Sequence, residues 1–213
     1  MRWILLIFIC LNTFSSNAQN DSIPYSRDYE FIEGIYLNSN QFMQNSPIHR
    51  EWIISGFPEN SLDCRMIGAN ERITFKDVSG VEQKENLALI WGVCKNRSVY
   101  INHNMAFYKL AVIGTLSVFA GIVPSGMLFN SHDGMVGTDF SQGPSYTELH
   151  QYIFDTRSKR ILDLNTQNME MLLSDDINLL NEFMALKKRE RNKMVFVYLR
   201  KYNEKHPLYL PVK

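Results

Sequence analysis

His49, His103, His132, His150 and His206 are the side chains of this sequence best suited to acid–base or metal chemistry. Their spacing argues against a local site. No two stand at the H-x-x-x-H separation that puts paired imidazoles on one helix face, and neither Cys64 nor Cys94 has a C-x-x-C partner. His103, His132 and His150 could still meet in space. "SHDGMVGTDF" (Ser131–Phe140) holds Asp133 and Asp139 among glycines, where carboxylate oxygens could serve calcium. The alternating Asp/Asn ligands and closing Glu of an EF-hand loop are missing, so a polar surface loop is expected. G-x-S-x-G, a phosphate-cradling glycine loop and S-x-x-K are absent as well. The expectation is a chain with no catalytic residue, no cofactor and no metal site. An active site that leaves no local pattern, as in some hydrolases, would draw on His132, Asp133 and His150.

Two further groups could bind or bridge. "KKRERNK" packs Lys187, Lys188, Arg189, Arg191 and Lys193 into seven residues. That density suits an anionic partner, whereas a solvated stretch between two helices is the structural alternative. Residues 156–213 carry 12 Lys and Arg against 7 Asp and Glu, although the whole chain is neutral. Cys64 and Cys94 would be the only cysteines of an exported chain, and an even count there suggests a disulfide. Two separate buried thiols are the competing reading.

Export itself is read from the N-terminus. Met1-Arg2 precedes the apolar run Trp3–Leu11, and Ser16 and Ala18 stand at −3 and −1 of a cut before Gln19. This is the pattern of a secretory signal peptide over residues 1–18, too short to span a bilayer. Ile9 before Cys10 is too large for a lipoprotein cleavage site. Export also makes nucleic acid an unexpected partner.

The elements that must position these residues begin with a polar arm over residues 19–30. Strand character follows in "GIYL", "EWIIS", "DCRMI" and "RITFKDV", with Asn38 or Ser39 capping a short helix. Asn86–Asn102 reads as a hairpin turning at "CKNRS", and Leu149–Asp155 with Arg160–Asn165 as a second one. The C-terminal third changes to helical period: Ser174 caps one helix, with Asp175 and Asp176 in its first turn, and Asn192–His206 forms another.

Leu110–Phe129 has twenty residues without a charge, long enough to cross a membrane. Gly114, Gly121, Pro124 and Gly126 interrupt it, and Asn130–Thr156 lacks the Lys and Arg that a cytoplasmic flank carries. Buried strands are expected, with a single membrane span as the alternative. The fold expectation is a β-rich α+β domain over 31–213, antiparallel hairpins first and helices last.

"EGIYLNSNQFMQNSPI" (Glu33–Ile48), "IWGVCKNRSVYIN" (Ile90–Asn102) and "LRKYNEKHPLYLP" (Leu199–Pro211) together resemble an uncharacterised family of small exported Bacteroidota proteins. The resemblance implies bacterial export and a β-rich domain, and carries no activity or site residue with it. Asp21-Ser22-Ile23 is similar to the short O-glycosylation acceptor of envelope proteins in that phylum. The resulting expectation is a periplasmic or outer-membrane-associated binding or structural module. Its partner would be another envelope protein or a glycan, with peripheral membrane contact allowed. Its surfaces would be aromatics around Tyr36 and Phe42 and the basic 187–193 stretch.

Overall fold

A computed structural model describes residues 21–58, 62–124 and 147–212. Along the chain come β1 (Ser22–Pro24), β2 (Gly34–Tyr36), α1 (Ser39–Met43) and β3 (Ile48–His49). Next are β4 (Ile53–Ser55), β5 (Arg65–Met66), β6 (Arg72–Lys76), β7 (Glu82–Asn86) and β8 (Gly92–Lys95). The long strands follow: β9 (Ser98–His103), β10 (Ala106–Val112), β11 (Leu116–Pro124) and β12 (Thr147–Asp155). The chain ends with β13 (Arg160–Asp163), α2 (Thr166–Leu172), α3 (Ile177–Ala185), α4 (Lys188–Lys205) and β14 (Tyr209–Pro211).

The main sheet is antiparallel in the order β13-β12-β11-β10-β9-β8-β2-β3, with β5 added on β10. Its two-residue period sorts the apolar side chains between faces. On one face Tyr36, Cys94, Val99, Ile101, Tyr108, Phe119, Tyr152 and Phe154 form a core, which Phe31, Phe42, Leu208 and Leu210 complete. The opposite face is covered twice. Leu116, Val118 and Ile153 pack under the three C-terminal helices, and Ile35, Val93 and Phe107 pack under the separate β4-β6-β7 sheet. The protein is thus a β-rich α+β fold with its helical layer at the C-terminal end.

Local chemistry accounts for most turns. Asn96 and Arg97 join β8 to β9 with φ of 49° and 60°, the left-handed pair that a two-residue hairpin requires. Asn38 caps α1, as expected, by accepting from the Gln41 amide. In the C-terminal third the expected cap moves. Asp176, not Ser174, caps α3, because its carboxylate accepts from the Leu179 amide while Lys205 and His206 hold it from α4. α2 has no counterpart in the sequence reading; Asn165 caps it after β13 ends.

Leu110–Phe129 supplies the end of β10 and the whole of β11 in its described part. The break between strands falls at Ile113–Thr115 rather than at Gly121. Gly121 lies inside β11, where a Cβ would stand 3.2 Å from both the Tyr108 and Tyr152 rings. Glycine there suits a close approach of the two rings, not a turn. Among the described residues no helix is long and apolar enough to cross a membrane.

The expected disulfide is absent. Cys64 is exposed in the turn before β5, whereas Cys94 is fully buried on β8 with its thiol 3.7 Å from the Phe31 carbonyl oxygen. Tyr36 and Phe42 are likewise not surface aromatics, for both are 0% exposed. In the core Phe42 stacks on Phe31 and Trp91, and Tyr36 meets Phe42 and Trp91 edge-on. The arm is tied down over Ser22–Pro24 by pairing with β14, which leaves Ser22 exposed.

Candidate functional site

α4 is fixed against the sheet by side chains that reach backbone. Asn203 accepts from the Leu116 amide and donates to the Leu116 carbonyl, both at 2.8 Å, so one amide locks α4 to the start of β11. Thr115 donates to the His206 carbonyl at 2.6 Å. The β12–β13 turn adds a charged clasp. Arg157 bonds Asp155 at 2.8 Å and also reaches Asp175 and the Tyr202 hydroxyl, which donates to Asp175 at 2.8 Å. Burial first, and then that bond, push the Tyr202 hydroxyl above its ordinary range, so it stays a neutral donor. At the other end of α4, Arg191 pairs with Glu170 of α2.

This bracing leaves an open groove where β12, the β13–α2 junction and α4 meet. Two adjoining depressions, of about 550 and 450 Å³, share Gln151, Leu164 and Asn165. The first continues to Leu149, His150 and Asp163, and the second to Thr166, Asn192, Lys193, Val195 and Phe196. Gln151 has its side chain exposed, while its carbonyl accepts from the Leu164 amide at 2.8 Å. Asn165 spends its Oδ1 on the cap of α2, and Asn192 accepts through Oδ1 from Thr166. Each keeps an amide NH2 with no hydrogen bond among the described residues. Phe196 forms apolar wall, and the Arg200 guanidinium lies over its ring, 4.7 Å from the centroid. Neither Lys193 nor Arg200 forms an ion pair within the described residues.

The basic stretch does not act as one surface. It occupies the first turns of α4 rather than a linker between helices, and a 100° step per residue scatters its charges. Lys187, Lys188 and Arg189 are exposed at the helix start, Arg191 turns inward to Glu170, and Lys193 alone reaches the groove.

The histidines are partly gathered. His103 and His150 both approach the Tyr152 ring, at ring separations of 4.7 and 6.3 Å. Burial pulls the His103 imidazole below its ordinary value, opposed by the nearby Asp163 charge, so it favours the neutral form. His132, Asp133 and Asp139 lie outside the described residues. Among the described residues no group of three His, Cys, Asp or Glu is placed to hold a metal ion. Sequence reading had picked out Lys193 but missed Gln151, Asn165 and Asn192. The one available signal was the capping asparagine at a strand-to-helix junction.

The architecture places the chain in a class: β-rich α+β proteins whose antiparallel sheet is backed by a C-terminal helical layer. Within that class it belongs to DUF6563, a family of unknown function whose model matches residues 34–206, from the start of β2 to the end of α4. No curated protein and no solved structure matches it.

Proposed function

We propose that this is an exported bacterial envelope protein, of the Bacteroidota kind, that acts without catalysis by binding another envelope component in the groove beside α4. The observation that carries the reading is that groove. Gln151, Asn165, Asn192 and Lys193 line it, and their side-chain donors form no hydrogen bond or ion pair among the described residues. Export is supported by the Trp3–Leu11 run with Ser16 and Ala18 after it.

Fractionation of cells expressing the full sequence tests location. The chain is expected outside the cytoplasm, with a new N-terminus at Gln19, and to be released from membranes by alkaline carbonate. A full-length cytoplasmic protein would end the reading. Binding is tested by passing solubilised envelope over the immobilised exported chain. Material retained by the wild type should be lost with the double substitution Gln151→Ala and Lys193→Glu. Equal retention would rule the groove out.

A further inference from the structure

We infer that the open end of β12, at the mouth of the groove, takes an extended polypeptide segment of another protein as an added strand; this rests on the binding reading above and names the kind of partner. β12 outruns its outer neighbour. β13 pairs only with Tyr152–Asp155, Leu164 closes the ladder by donating its amide to the Gln151 carbonyl, and the chain then turns into α2. Thr147–His150 therefore has β11 on one side and, among the described residues, no strand on the other. In an antiparallel ladder the backbone groups of successive residues point alternately to the two sides. Gln151 points outward to Leu164, so Leu149 points outward too. The facing strand agrees: Ile122, paired with Leu149, turns its carbonyl away from β12 to accept from the Tyr108 hydroxyl at 3.3 Å. The Leu149 N–H and C=O thus stand on the open edge, where neither has a hydrogen bond among the described residues.

A free donor and acceptor in strand geometry select another strand, and the remaining edges of the described fold are blunted against one. On β13 the outward carbonyl of Asp163 is held by Asn165 and Asn168. On β11 the Tyr108 hydroxyl covers Ile122, and Pro124, the next outward residue, has no N–H. β3 and β5 have two residues each, β4 bulges between Ile53 and Ser55, and β7 exposes Glu82, Lys84 and Glu85. β1 and β14 both end in proline. These blunt edges leave a second copy without a strand to offer. A two-fold pairing of β12 about Leu149 would set Thr147 of that copy against Gln151, whose carbonyl Leu164 already holds. The side chains beside the open edge define the segment. Leu149 and Ile122, 69% and 41% exposed, lie on the helix side of the ribbon, where Leu164 and Phe196 continue the groove. An added strand places every second side chain on that side, so the segment carries apolar residues at alternate positions.

The probe is a short fluorescent peptide of alternating valine and threonine with lysine at each end, read by anisotropy against the chain purified from the envelope. It should bind. Two versions, N-methylated on every valine or on every threonine, block opposite edges of an added strand. One should lose at least tenfold in affinity and the other should keep it; equal behaviour of the two would overturn the strand. Leu149→Pro removes the outward N–H, a loss that an edge strand tolerates. It should weaken the peptide at least tenfold while far-UV circular dichroism and the urea midpoint stay near wild type. The Leu149 amide should exchange quickly in the free chain and slowly with the peptide bound, with His150, which faces β11, unchanged. Absence of peptide binding at millimolar concentration, while envelope retention still depends on Gln151 and Lys193, would discard the added strand and keep the groove. Retention indifferent to Gln151, Lys193 and Leu149 alike would discard the groove as well.

Discussion

At the scale of single residues, the thiols and Asp176 are the sharpest points. Cys64 is exposed and Cys94 is fully buried, so a thiol-reactive dye should label one thiol in the native exported chain and two after unfolding. Burial and the adjacent Asp63 charge raise the Cys64 thiol, so labelling should accelerate with pH. Labelling that appears only after reduction would show a bridge. Asp176 accepts from Lys205 and His206, each at 2.8 Å, and from the Leu179 amide. Those three partners, Lys205 foremost, hold its carboxyl well below the usual range. A carboxyl depressed by folding stabilises the folded chain above its unfolded value, about 3.9, and that contribution fades as pH falls through and below it. Urea midpoints should therefore drop steeply in acid for the wild type. Asp176→Asn keeps a capping oxygen but no charge, so its midpoint should be lower at neutral pH and should converge with the wild type in acid. Parallel curves would remove the ion pairs from the account.

Elements were read with different success, and the reason is local range. The hairpins of β8–β9 and β12–β13 follow from β-branched and aromatic runs around a polar turn, and the structure has both. Arg97 sits left-handed in the first of these turns, which costs a residue with a Cβ about 1–2 kcal/mol. Its ion pair with Glu30, whose partners are 83% and 49% exposed, contributes little. Arg97→Gly should raise stability by about 0.5–1 kcal/mol in urea unfolding, since the relieved strain exceeds the added unfolded-state entropy. A loss would mean that the Glu30 contact matters more than its exposure implies. α2 was missed because its seven residues are too few for a helical period to emerge, leaving only the Asn165 cap to mark it. The start of α4 was placed late because Lys188–Lys193 is polar on every side and carries no apolar stripe.

For the whole molecule, the ends of the described chain close one face of the sheet. β14 pairs with β1, and Leu210, fully buried, packs with Leu208, Phe31 and the ring cluster. Leu210→Ala should cost about 2–4 kcal/mol through lost burial and a residual cavity, measured as a fall in urea unfolding free energy. A cost below about 1 kcal/mol would show that the terminal ribbon is not part of the cooperative unit. The family match, over residues 34–206, includes neither strand of this ribbon.

Sequence by itself determined the class of the fold, the antiparallel hairpins and the strand character of Leu110–Phe129 over its described part. These depend on neighbours within a few residues: alternation, turn dihedrals, caps and charge density. Only the tertiary structure decided that Tyr36 and Phe42 are core and that Cys64 and Cys94 lie apart. It also decided that Gln151, Asn165, Asn192 and Lys193 share a groove. Burial and convergence arise from which faces of distant strands and helices pack together, and no short stretch of this chain encodes that pairing.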